Sequence, residues 1–335
     1  MTTTAGNPPR ETDAWDRYWA YGNLHSFSQV TSGNYAGRIA AFWQEVFEDL
    51  ADNSRILDIA TGNGAIPLLA LEAATATKRT FDIHATDLAA IDPNQQVSDP
   101  ATRERLQAIH FHARTPAESL PFERGSFDLV CSQFGLEYSD PGESVPETAR
   151  VLRPGGGLAL VMHHDRSAVV LAARDEAAQA DFVLDEVKLY LKTRNLLRAQ
   201  AETGARHRDG GPHPKVAKKR KAVDQAIHEV QETARQRPDN RLLLGPLNYV
   251  QEVLTMAERS GPARALEWLD EAQRRVRATR ERLAAMQAAA RDADTMADFA
   301  RDLTAAGFDT PTCNTLSEDN GEVVGWQVRA RRQAD

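Results

Sequence analysis

Between residues 55 and 164, short apolar runs alternate with stretches whose apolar residues recur every three or four positions. RILDIA (55–60), FDIHATD (81–87), AIHFHAR (108–114), FDLVCSQ (127–133) and GLALVMHH (157–164) read as strands. AIPLLALEAA, DPATRERLQ and ESVPETARVL (143–152) read as helices, with Pro146 in the first turn of the last and RPGG turning the chain into the fifth strand. Strand and helix in this rhythm predict an α/β fold with a doubly wound, largely parallel sheet covered on both faces. Ahead of it, residues 1–10 are polar with a Pro-Pro pair and read as frayed, and WDRYWAYG (15–22) reads as a short aromatic helix. A second helix is expected from about Gly33 to Ala51, capped by Ser32, with Ile39, Phe42, Trp43, Val46 and Phe47 on its apolar side.

From about 167 to 300 the strand signal vanishes. Leu269, Ala272, Val276, Thr279, Leu283 and Met286 keep a three-four spacing, as do Val223, Ile227, Val230 and Ala234, which suits a helical hairpin or bundle. HRDGGPHP (207–214) breaks the helices. MADFARDLTAAGF then predicts a helix closed by Gly307, and TPTCNTL and EVVGWQVRAR predict two strands joined by SEDNG. Those strands complete the sheet, so the helical block is an insertion. The expected division is 1–52 as N-terminal helices forming a partial lid, 53–166 with 295–335 as the core, and 167–294 as the helical insertion.

Composition narrows the function. The 335 residues are 41% hydrophobic and 26% charged, which is globular chemistry, and a net charge of -8 argues against nucleic-acid binding driven by overall charge. The basic run KVAKKRKAV (215–223) is a local exception. It lacks the interleaved aromatics that stack on bases, so it reads first as a solvated helix face. Cys131 and Cys313 have neither finger nor disulfide-framework spacing. With no apolar window of about 18 residues and no secretory pattern at the start, a cytoplasmic protein without membrane spans is the expectation.

The candidate chemistry begins at ILDIATGNGA (56–65). Gly62 and Gly64 bracket Asn63, and glycine lets a ligand approach the backbone where a helix presents its free N–H groups. The third glycine of a dinucleotide fingerprint is replaced by Pro67. Asp87 closes the second strand, where a carboxylate accepts ribose hydroxyls or caps a helix. Asp58, inside the first strand, repels a pyrophosphate but suits a cationic ligand.

Together these segments resemble the class I S-adenosylmethionine-dependent methyltransferases. ILDIATGNGA is similar to that family's first motif and ATDLA to its second; TPAESLPFERGSFDLVCSQFGLEY resembles its adenine loop and fourth strand, and ETARVLRPGGGLALV the helix, turn and fifth strand. The resemblance covers about 50–165 and 295–332. It implies a seven-stranded Rossmann-like sheet of order 3-2-1-4-5-7-6 with strand seven antiparallel. It also implies S-adenosyl-L-methionine held by Asp58, Ala60, Gly62, Asn63, Gly64, Asp87, Leu88, Thr115, Ala117 and Gln133, with Tyr21 and Tyr35 closing over it. Pro116 stands where the adenine loop usually has an acid, leaving the adenine amino group to Thr115, Glu118 or a carbonyl.

Methyl transfer is an in-line displacement that rests mostly on positioning, with a base needed only for a poor nucleophile. The C-terminal ends of strands four and five should face the methyl group. His163, His164 and Glu137 are the candidate proton acceptors there, although the two histidines read equally as one packed in the sheet and one on the surface, and Tyr18, Phe134 and Tyr138 are the candidate substrate-side residues. Glu137 and Tyr138 read equally well as capping the following helix. The HHD run (163–165) makes an awkward metal site, because adjacent strand residues face opposite ways, and no metal is expected. Trp15, Tyr18, Trp19, Tyr21 and Tyr35 either pack the first helices or shield a cation, with the tyrosines the lid candidates. The expected activity is methyl transfer to a small-molecule O, N or C nucleophile. The alternatives are an RNA or protein methyltransferase recruited by the basic arm, and a non-catalytic scaffold. Homodimerisation through the insertion is a further expectation.

Overall fold

The computed structural model describes residues 13–26, 33–203 and 213–334. They form two compact units, 1–171 with 285–335, and 172–284. The first unit holds β1 (Ser54–Ile59), β2 (Phe81–Asp87), β3 (His110–Ala113), β4 (Phe127–Gln133), β5 (Leu152–Met162), β6 (Thr312–Ser317) and β7 (Val323–Arg331). They join one sheet in the order β3-β2-β1-β4-β5-β7-β6, with β7 antiparallel to both of its neighbours, the topology the sequence motifs imply. Around it lie α1 (Asp13–Ala20), α2 (Gly37–Glu48), α3 (Ala65–Thr77), α4 (Pro93–Gln96), α5 (Pro100–Leu106) and α6 (Pro141–Val151), and further on α12 (Ala293–Ala305).

The central strands read as continuous apolar runs because each residue meets one of two cores. Ile56, Ile83, Leu129, Cys131, Ala159 and Val161 point to Phe42, Trp43 and Phe47 of α2 and to Ile66 and Leu68 of α3. Leu57, Val130, Leu158, Leu160 and Met162 point the other way, to Val145 and Ala149 of α6 and to Met296, Phe299 and Leu303 of α12. This alternation fixes the register: Asp58 stands opposite Ala85 of β2 on one side and Cys131 of β4 on the other.

Four local expectations change. Ser32 lies outside the described residues, as do 1–10 and most of the 207–214 break, and the helix after Ser32 begins only at Gly37. Gly33 is left-handed at φ 86°, and the Asn34 side chain receives the Tyr35 N–H and donates to the Ala65 carbonyl, which holds this stretch out of the helix. Pro146 lies a turn deeper in α6 than expected, because Pro141 takes the first position and Asp140 caps it by accepting the Gly142 N–H. The RPGG segment is part of β5 as an irregularity in its pairing with β4, between Phe127 and Leu129. The same strand ends at Met162, so His163 and His164 lie just past it.

The second unit is helical. It takes in α8 (Leu189–Thr203), α9 (Pro214–Arg235) and α10 (Arg241–Ser260), together with parts of α7 (Ala168–Asp181) and α11 (Pro262–Ala289), and a π-helical turn over Phe182–Glu186 follows α7. Val223, Val230 and Ala234 of α9 and Leu269, Ala272 and Val276 of α11 share one core with Tyr190, Leu196 and Val250. In the basic run, Lys215 pairs with Glu202 at 2.5 Å and Arg220 with Asp224 at 2.9 Å, exposed contacts worth little individually.

A reciprocal cap starts α12: Asp292 accepts the Thr295 N–H, and Thr295 accepts the Asp292 N–H. Asp292→Ala is expected to cost about 1 kcal/mol. A thermal unfolding midpoint within error of the parent's would show that the cap does not matter.

Candidate functional site

The turn after β1 is shaped by three left-handed residues, Ala60 (φ 57°), Gly62 (φ 55°) and Gly64 (φ 87°). Such a backbone needs fixed partners. Thr61 donates its N–H to the Thr86 carbonyl at 3.0 Å, and Gly64 to the Thr61 carbonyl at 3.1 Å. One Asp87 carboxylate oxygen accepts the Gly62 N–H and the other the Ala89 N–H, both at 2.8 Å. Asp87 thus ties the end of β2 to the turn instead of capping a helix, while its remaining lone pairs stay available.

The two glycines serve different purposes. A Cβ on Gly62 would come within 2.5 Å of the Trp19 ring, because α1 lies across the turn. The Asn63 side chain secures that placement by donating to the Trp19 and Asn23 carbonyls. At Gly64 a Cβ would strike Leu106 and Phe111 at 2.9 Å, so a side chain there disrupts the packing of α3 against α5 and β3 instead of filling the site.

Asp58 is the electrostatic centre. It is 1% exposed, and its Oδ1 accepts a weak hydrogen bond from the Cys131 thiol at 3.6 Å, whereas Oδ2 is buried without a partner. Burial pushes its pKa up to about 7 and that of Asp87 to about 6, the latter against the pull of the Ala89 and Gly62 amides. Asp58 lines a cavity of about 30 Å³ with Trp15, Trp19, His25, Tyr35, Gln133 and Phe134. The Gln133 amide nitrogen is a second buried polar atom without a partner. Of the tyrosines, Tyr35 lines the cavity and stacks on His25 at 4.4 Å, and Tyr18 donates to the His25 carbonyl at 2.9 Å. Tyr21 is 60% exposed and lines no part of this cavity, and the ring that lies on Gly62 is that of Trp19. His25 carried no sequence signal, since nothing near it in the chain marks it as part of a site.

Beyond Phe134, His163 stacks on the Phe134 ring at 4.5 Å and meets the Tyr138 ring edge-on at 5.9 Å, and Tyr138 reaches Trp15 at 5.7 Å. Burial lowers the His163 pKa to about 3, which keeps it neutral. Glu137 accepts the His163 backbone N–H at 2.7 Å through one oxygen and leaves the other buried and unpartnered; burial raises its pKa to about 7. Glu137 therefore holds the end of β5, and Asp140 caps α6. His164 turns the opposite way, stacking on Trp326 at 4.5 Å and pairing with Asp165 at 2.9 Å, so the two histidines do not converge. Thr115 donates its N–H to the Asp87 carbonyl and Glu118 accepts the Asp140 N–H, while Leu88 is exposed beside Asp87 and Ala117 packs partly into the core. Among the described residues no His, Cys, Asp and Glu side chains gather as metal ligands, and no helix is long and apolar enough to cross a membrane.

Residues 57–160 match the family described as a methyltransferase domain. An uncharacterised methyltransferase of Mycobacterium bovis is 31% identical over 107 residues, 32% of this chain and 39% of the relative. The ubiquinone/menaquinone biosynthesis C-methyltransferase of Geotalea daltonii is 33% identical over 117 residues, 33% of this chain and 46% of the relative. The crystal structure of the YcgJ protein from Bacillus subtilis aligns with a TM-score of 0.34 at 15% identity, over 88% of this chain and 98% of that one. The chain spans less than half the length of the two curated relatives.

The buried acid has a consequence for stability. In the folded chain Asp58 binds its proton near pH 7 and in the unfolded chain near 3.8. This contribution to stability is complete below about pH 4 and is lost as pH rises through 7. Asp58→Asn should therefore raise the melting temperature of the ligand-free protein at pH 8, by roughly 2–4 °C per kcal/mol, and the gain should shrink toward pH 4. A variant that melts lower than the parent at pH 8 would contradict the assignment.

Proposed function

We propose that the chain, whose residues 57–160 match a methyltransferase domain, is a class I S-adenosylmethionine-dependent methyltransferase that transfers a methyl group to a small-molecule acceptor. The observation that carries this reading is the Asp58 Oδ2, buried and unpartnered beside a glycine turn, with Asp87 at the end of the neighbouring strand. The donor set fits the cofactor: an acid for its ammonium, a second acid for its ribose hydroxyls, and the Gln133 amide for its carboxylate. Bound there, the cofactor supplies a methyl group on a sulfonium.

The protein's own part is positioning and exclusion of water. Phe134, Tyr138 and Trp15 form an aromatic wall on the acceptor side, and the packed, neutral His163 ring supports Phe134. Glu137, with a pKa near 7 and one oxygen buried without a partner, is the group suited to take a proton from a hydroxyl or an activated carbon once a ligand opens the site to it. His164, paired with Asp165 and stacked on Trp326, is a structural residue in this reading.

A site for a small molecule usually holds about 300–1,000 Å³, far more than the roughly 30 Å³ left under Trp19. Cofactor binding therefore moves α1 off the turn, and the fluorescence of Trp15 and Trp19 should change when S-adenosylhomocysteine is added. The same titration followed by calorimetry tests the function. The parent should bind, and Asp58→Ala should bind about 10-fold or more weakly, as expected for losing a hydrogen bond to a charged group. No binding by the parent, or equal affinity in the variant, would defeat the proposal.

A further inference from the structure

Gln133 poses a question that its position at the end of β4 does not answer. A glutamine amide has two faces of similar shape, one donating and one accepting, and rotation about its last bond exchanges them. In this cavity the choice is not left open. The indole N–H of Trp43 lies 2.6 Å from the Gln133 Oε1. An indole nitrogen only donates, so the amide oxygen must face Trp43 and the NH2 group must face away. Trp43 itself is held fast: it is fully buried in α2, edge-on to Phe42 at 5.0 Å and stacked on Phe47 at 5.7 Å. Gln133 is also nearly buried, and its Nε2 has no partner. Gln133 and Asp58 line the same cavity, and Asp58 likewise has a buried oxygen without a partner. Thr61 Oγ1 is buried without a partner in the same cavity, but a hydroxyl can donate or accept, whereas the Gln133 NH2 only donates and an ionised Asp58 only accepts; that fixed pair is complementary to the zwitterionic end of an α-amino acid, with ammonium on Asp58 and carboxylate on Gln133.

We propose that Trp43 is a positioning residue that locks the Gln133 amide with its NH2 toward the cavity, so that the site selects a ligand carrying an α-carboxylate. The inference rests on the reading that this cavity takes S-adenosylmethionine. Without the lock the amide turns freely, and its oxygen faces the carboxylate for part of the time. Charge-assisted hydrogen bonds are about twice as strong as neutral ones, so the orientation is felt mainly by the anionic end of the ligand.

Calorimetry with two ligands that differ only in the carboxylate, S-adenosylmethionine and its decarboxylated form, separates positioning from packing. The parent should prefer the carboxylate-bearing ligand. Trp43→Phe keeps an aromatic ring but removes the N–H; it should bind S-adenosylmethionine about 5- to 20-fold more weakly and the decarboxylated ligand within about twofold of the parent. Gln133→Glu can still accept from Trp43 but places an oxygen where the NH2 was, and should show the same selective loss, larger in size. Adding Trp43→Phe to Gln133→Leu should cause no further loss, because the lock then has nothing to hold. If Trp43→Phe weakened both ligands equally, or neither, or if the parent did not distinguish them, the positioning role would be wrong. Failure of the parent to bind either ligand would instead overturn the cofactor reading on which the inference rests.

Discussion

A carboxylate in the middle of a parallel sheet is the constraint around which this site is organised. Asp58 sits where its neighbours Leu57 and Ile59 are fully packed, in a strand paired on both sides. Burying an acid without a counter-ion is costly, and the protein answers by raising its pKa to about 7 instead of supplying a cation. A fold selected for stability alone would place an apolar residue there. Under the proposed function a positively charged ligand completes the pair, an instance of stability exchanged for function.

The same logic extends along the C-terminal ends of the strands. Asp87 uses its two oxygens to fix the left-handed turn, and Glu137 uses one of its own to fix the chain past β5. Each buried acid thus has a structural task and residual capacity to accept more. α1 closes the arrangement by laying Trp19 on Gly62, a contact that only glycine permits at that distance. The site is therefore built from strand ends and a short helix: α1 is eight residues long and is held by the Asn63 amide, by Asp16, which accepts from the Ala90 N–H and pairs with Arg114, and by the packing of Tyr18 and Trp19 on Ala89 and Ile91.

How much of this could be read from the sequence depended on distance along the chain. The strands were legible because apolar runs and glycine turns are local signals, while their order came from the resemblance that the motifs carry. Asp58 and Asp87 were legible for the same reason, each lying in or beside a motif. The start of α2 was not, because Asn34 is drawn to the Ala65 carbonyl of α3, 31 residues away in the chain. The covering of the turn by Trp19, the entry of His25 into the cavity and the pairing of Trp43 with Gln133 were equally hidden. Trp43 and Gln133 are 90 residues apart, and in sequence Trp43 is simply one more apolar position on a helix face. His163 and His164 show the intermediate case: period-two alternation correctly sent them to opposite sides, yet it could not say that each would stack on an aromatic ring.

The central claim is that the Asp58 carboxyl is kept for a cationic partner. Carbon-detected NMR titration of that carboxyl, assigned with an Asp58→Asn variant, measures it directly. In the ligand-free protein the group should titrate near pH 7; with S-adenosylmethionine bound, the ammonium should drive its pKa well below that value. An ordinary carboxylate pKa in the free protein, or a raised one that does not move when the ligand binds, would contradict the account.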